Sequence, residues 1–127
     1  MTPAELEIIR RRKEMTALFK LGMNASSVGV HRTLNRPPKG KGWVPIANDP
    51  EGVFCRPDKV RESIEWYKKA YAILPDIVVL NQIALGYEMI GEVEEARAWF
   101  VRVREQAERE GNGSYRQAAE MSLKRVS

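Results

Sequence analysis

The sequence predicts an all-α fold, and three observations lead to that prediction. Apolar residues recur at alternating steps of three and four through most of the second half, which is the spacing of a buried helix face. Proline, glycine or a capping residue stands at each end of these stretches. A length of 127 residues with 43% hydrophobic and 30% charged residues is typical of one soluble globular domain and excludes a disordered chain.

The first predicted helix covers about residues 2–21. Thr2 can cap it and Pro3 suits its first turn, while Gly22 is read as its end. Its apolar residues at helical spacing are Ile8, Met15, Leu18 and Phe19.

The segment 23–56 is predicted to be largely irregular. Prolines and glycines interrupt it so often that at most a short helix near residues 25–34 fits. An irregular segment of this length in a compact domain is usually a functional loop, so function is expected here or on the helices that follow.

Four further helices complete the predicted domain. The first of them covers residues 57–74, where Pro57 and Asp58 open the helix and Pro75 ends it. The next two cover residues 76–90 and 92–110, and a last helix follows over 114–126. Short loops between them predict antiparallel neighbours.

A repeat is visible within residues 57–110. A small residue, an aromatic residue and a second small or branched residue recur at the same spacing in two places: Ser63, Tyr67 and Ala70, then Ala96, Phe100 and Val103. Together with Ile83, Ala84 and Tyr87 before the second copy, this pattern resembles the tetratricopeptide repeat, a helix-turn-helix unit. The resemblance implies that the last helix caps the repeats and that Ala84 and Ala96 form a close helix–helix contact.

The resemblance also implies a scaffold that binds a protein or peptide and has no catalytic centre. On the helix over 76–90, we expect Val78, Asn81, Leu85 and Glu88 to lie away from the packing stripe and to form the partner-binding surface. The apolar face of the helix over 57–74 needs a cover. The N-terminal helix is predicted to provide it, with 23–56 inserted in the turn, and a second copy of the chain is the alternative.

The basic charge belongs to the first part of the chain. Residues 1–50 hold nine basic and four acidic side chains, whereas residues 51–127 hold twelve and thirteen. This favours a second hypothesis, in which the basic segment over residues 10–43 binds nucleic acid or an acidic partner. Its candidate contacts are Arg32, Arg36, Lys39, Lys41 and Trp43. Residues 16–36 are also similar to a helix-turn-helix, which would make the protein a regulator that binds DNA.

Little in the sequence points to catalysis, a cofactor or a metal. His31 has no carboxylate near it in sequence, and Cys55 has neither a second cysteine nor a metal-ligand spacing around it. No apolar run is long enough to span a membrane, and no signal peptide is evident, which predicts a cytoplasmic protein. The leading prediction is a non-enzymatic adaptor that binds a protein or peptide. A nucleic-acid-binding regulator that uses residues 10–43 is the alternative.

Overall fold

A computed structural model describes residues 1–32, 39–46 and 49–127, without the side chains of residue 32 and of residues 49–52. Helices dominate this part of the chain beside one small three-stranded sheet, so the predicted all-α class is confirmed as a mostly α-helical one. The elements in chain order are α1 (Pro3–Gly29), β1 (Val30–Arg32), β2 (Val44–Ile46), β3 (Asp49–Cys55), α2 (Pro57–Ile73), α3 (Ile77–Met89), α4 (Val93–Glu110) and α5 (Gly113–Arg125).

Helix α1 is longer than predicted. Thr2 caps it as expected, since its hydroxyl accepts a hydrogen bond of 3.1 Å from the backbone N–H of Glu5. The helix continues through Gly22 and ends only at Gly29, where Val30 enters an extended strand. The predicted end at Gly22 is therefore wrong. The helix-turn-helix over residues 16–36 is wrong as well, because a continuous helix occupies the place of its turn and a strand follows.

The segment 23–56 is not simply irregular. Its described residues include the end of α1 and a three-stranded antiparallel sheet in the order β1-β3-β2. In the register, Cys55 of the central strand lies between Val30 and Val44, and Phe54 pairs with Pro45. Pro45 is compatible with a strand because β2 is at the edge of the sheet, where a missing N–H costs little.

Helices α2 to α5 agree with the predictions to within two residues at each end. The carboxylate of Asp76 accepts from the N–H of Val78 at 2.8 Å and caps α3. Gly91 and Gly111 adopt positive φ angles of 79° and 67° after α3 and α4, a conformation that glycine adopts without strain.

The core confirms that α1 covers α2. Helix α1 packs along α2 within a single chain, and α3 covers the neighbouring side of α2. As a result Val60 and Ile64 are buried, and Met15 of α1 belongs to the same apolar cluster. A smaller cluster joins α3, α4 and α5 through Leu80, Val103 and the residues around them.

Candidate protein-binding groove

Two glycines allow α1 and α3 to approach α2 closely. A Cβ atom on Gly22 of α1 would lie 2.5 Å from Cε1 of Tyr67, and one on Gly86 of α3 would lie 2.7 Å from Cγ1 of Ile64. Both positions therefore exclude a side chain unless the neighbour moves. Since the two helices contact the same helix, a groove remains between them, with Tyr67 of α2 among its lining residues.

This α1–α3 groove has a volume of about 350 Å³ and is lined by Phe19, Met23, Ser26, Ser27, Val30, Tyr67 and Gln82. The rings of Phe19 and Tyr67 lie 5.2 Å apart between centroids, a distance typical of a packed aromatic pair. Burial raises the pKa of the Tyr67 hydroxyl, and a hydrogen bond with Ser63 partly offsets that rise. Tyr67 thus packs against Phe19 and forms the aromatic floor of the groove.

The lining of the α1–α3 groove is mixed but uncharged. Four of its residues offer aromatic, thioether or aliphatic surface, and three offer hydroxyl or amide groups. Hydroxyls and amides can both donate and accept hydrogen bonds, as a peptide backbone requires. Met23, half exposed at 50%, has a flexible side chain that adapts to different apolar surfaces. The groove therefore suits an apolar side chain flanked by polar backbone.

The predicted partner-binding residues on α3 fall into different environments. Val78 is exposed and Asn81 is partly exposed, as expected for a binding surface. Leu85 is partly buried and packs against the main apolar cluster, so its side chain is largely used by the fold. Gln82, which the sequence analysis did not select, is the α3 residue that lines the α1–α3 groove.

The expectation that Glu88 lies on a free face is wrong. Glu88 is only 7% exposed, and its carboxylate accepts two hydrogen bonds from Arg125 of α5, one of them 2.6 Å long. This ion pair joins the end of α3 to the end of α5. The carboxylate also raises the pKa of the Arg125 guanidinium, chiefly through that hydrogen bond. Glu88 thus contributes to the packing of α5 against α3.

The basic segment is only partly described. Lys39 and Lys41 are exposed, as phosphate contacts would require. Trp43 is half-buried, with the guanidinium of Arg56 located 4.5 Å from its ring centroid and the His31 ring 6.0 Å away. Arg56 therefore already packs against the ring on which a base would stack. The side chain of Arg32 and the whole of Arg36 lie outside the described residues, and the nucleic-acid prediction stays a prediction.

The basic run at residues 10–13 is split between two sides of α1. Arg10 pairs with Glu7 at 2.6 Å and with Glu14 at 2.5 Å, and Arg11 pairs with Glu7 at 3.0 Å. Hydrogen bonds from Arg10 and Arg11 hold the pKa of Glu7 at about 2. Half of the run is thus neutralised within the helix.

His31 and Cys55 are not brought together as a reactive pair. In the sheet register His31 pairs with Phe54, whereas Cys55 pairs with Val30, so the two side chains point to opposite faces. Cys55 is fully buried, and desolvation raises the pKa of its thiol. In the described part of the chain, no group of three or more His, Cys, Asp or Glu residues is placed to hold a metal ion.

One signal could have located the groove from the sequence. Gly22 is predicted to end a helix, but a glycine followed by further helical spacing also marks a close helix contact.

None of the described helices combines the length and the apolar character needed to cross a membrane. Comparison with protein-family models, curated proteins and solved structures finds no match to this chain.

Proposed function

We propose that the protein is a non-enzymatic adaptor that binds an apolar peptide segment of another protein in the α1–α3 groove. The observation that carries the proposal is the groove itself, an uncharged cleft of about 350 Å³ with an aromatic floor and polar groups at its sides. Binding sites for peptides and small ligands combine apolar walls with a few polar groups in this way.

The helix arrangement supports a tetratricopeptide-like reading of this scaffold. Gly22 contacts the ring of Tyr67, which is a small residue of a first helix against an aromatic residue of a second. In the next helix pair, Ala84 of α3 and Phe100 of α4 are both fully buried in the same cluster. In repeats of this kind the first helices of successive pairs line the binding surface. Here those helices are α1 and α3.

Selection of peptides on the purified protein tests the proposal. A phage-displayed library of random peptides is panned on the full chain, and the enriched peptides are measured by fluorescence anisotropy. We expect Met23→Lys to weaken their binding at least tenfold, because it places a charge beside an apolar ligand.

A matched control separates the groove from general surface effects. Met121 is a methionine of similar exposure on α5 and is not among the residues that line the groove. Met121→Lys adds the same charge. We expect Met121→Lys to bind like the wild type. If the two variants bind equally, or if the enriched peptides require Lys39 and Lys41 instead, the α1–α3 groove is not the binding site.

A further inference from the structure

Helix α1 extends beyond the helix on which it packs. Gly22 lies beside Tyr67 and Gly29 lies beside Lys59, so α1 and α2 run antiparallel. Extending this register toward the N terminus of α1 brings Met15 to the level at which α2 ends. The preceding residues 3–13 therefore project past α2, over about 15 Å at 1.5 Å per residue. All of them are exposed except Glu7, which is half-buried.

One side of α1 forms a continuous exposed surface from this projection onto the body of the protein. Its residues follow each other at steps of three and four, and a shallow depression of about 500 Å³ runs along most of it. We call it the outer face of α1, formed by Leu6, Ile9, Arg12, Lys13, Thr16, Ala17 and Lys20. Leu6 and Ile9 are 54% and 41% exposed, although both are large apolar residues. No described residue of another element lines the depression.

The charges on this face are unbalanced. Arg10 and Arg11 pair with glutamates of their own helix, but within the described residues Arg12, Lys13 and Lys20 have no ion-pair partner. Lys13 and Lys20 lie seven residues apart, which corresponds to about 10.5 Å along one side of the helix. The outer face thus places the large apolar residues Leu6 and Ile9 N-terminal to cations that lie along one side of the helix.

We propose that the outer face of α1 binds an acidic amphipathic helix of another protein. Carboxylates at seven-residue spacing on that helix would lie opposite Lys13 and Lys20, and its apolar residues would cover Leu6 and Ile9. This surface lies mostly N-terminal to the α1–α3 groove along α1, and the depression on it shares no lining residue with the groove.

Two other occupants fit this face less well. A second copy of the chain would bring its own Lys13 and Lys20 to the same face, and like charges in contact are unfavourable. An anionic membrane attracts the cations, but an interfacial helix needs a broad apolar side that usually includes aromatic residues. The outer face offers only Leu6, Ile9 and Ala17 as apolar groups.

The test uses two labelled peptides of three heptads each. Both carry leucine at the two apolar heptad positions, and one has glutamate at the flanking positions where the other has lysine. Fluorescence anisotropy with the full-length protein should show binding of the acidic peptide only. Its affinity should fall as NaCl rises from about 50 to about 300 mM, because the exposed charges become screened.

Paired variants locate the binding. Lys13→Glu with Lys20→Glu should weaken binding of the acidic peptide about tenfold, since two attractive contacts become repulsive. Arg116→Glu with Lys124→Glu changes the net charge equally at two exposed positions on α5 and should leave the affinity within about twofold. Circular dichroism confirms that both double variants keep their helical content.

Five results would overturn the proposal, and the first four concern peptide binding and self-association. They are equal binding of both peptides, an equal loss in the α5 double variant, no binding of the acidic peptide at low salt, and self-association that Lys13→Glu with Lys20→Glu abolishes. Cosedimentation with phosphatidylserine-containing vesicles in the absence of peptide binding would assign the face to a membrane and would also reject it.

Discussion

The contact between Gly22 and Tyr67 gives the sharpest prediction for stability. A methyl group at Gly22 would lie 2.5 Å from Cε1 and 2.6 Å from Cδ1 of a buried ring, and Phe19 packs against that ring at 5.2 Å. Overpacking of this kind costs about 1–3 kcal/mol. Replacing glycine by alanine inside a helix gains about 1 kcal/mol in return. The difference is a loss of about 0–2 kcal/mol. Because the ring cannot easily move, we expect Gly22→Ala to lower the free energy of unfolding by about 1–2 kcal/mol, the upper half of that range.

Urea denaturation followed by circular dichroism measures this loss, and thermal melting should show a Tm lower by about 3–8 °C. Gly113→Ala is the matched control, because a Cβ atom there meets nothing within 4 Å at the start of α5. It should be neutral or slightly stabilising. In a Tyr67→Leu background, Gly22→Ala should cost less than in the wild type. If Gly22→Ala stabilises the protein as much as Gly113→Ala does, the close packing of α1 on α2 is refuted.

Three further predictions concern the ends of the helical array and the sheet. Arg125→Gln removes the guanidinium that pairs with the buried carboxylate of Glu88 and should lower the free energy of unfolding by about 1–3 kcal/mol in urea titrations; an unchanged midpoint would contradict this. Trp43→Ala removes the ring that packs on Arg56 and should cost about 1–2 kcal/mol with no loss of helical content in circular dichroism. Burial raises the pKa of the Cys55 thiol above its ordinary value of 9.0, because a buried thiolate is poorly solvated. The contribution of the neutral thiol to the free energy of unfolding is therefore complete below pH 9 and is lost as the pH rises through the folded pKa. Accordingly, iodoacetamide at pH 8 should modify Cys55 much more slowly in the folded protein than in urea, and equal rates would show that the thiol is accessible.

Local spacing in the sequence was sufficient for the helices of the second half. Each of α2 to α4 buries a stripe at helical spacing and ends near a proline or a glycine, so its limits depend on nearby residues. The packing of α1 on α2 also followed from the sequence, because Val60 and Ile64 on α2 needed an apolar cover.

The remaining features depend on contacts between distant residues. Gly22 marks a close contact inside α1 and not a helix end, since the ring of Tyr67, far along the chain, occupies the space where a side chain would be. The strand at Val44–Ile46 has only three residues, so no run of alternating residues marks it, and its place is set by pairing with β3. Glu88 is buried because Arg125 of α5 pairs with it, and Gln82 lines the groove because α1 lies beside α3. Residue spacing along one helix does not carry this information, because it depends on how the helices pack against each other.

The position of a bound peptide tests the adaptor proposal most directly. The chain has five methionines, among them Met23 in the α1–α3 groove, Met15 in the core and Met121 exposed on α5. In protein labelled with ¹³C at the methionine methyl groups, each of them reports on its own surroundings in a two-dimensional NMR spectrum. Titration with a peptide selected on the protein should shift the Met23 resonance and leave that of Met121 unchanged. Saturable binding that leaves Met23 unshifted would contradict the proposed role of the groove.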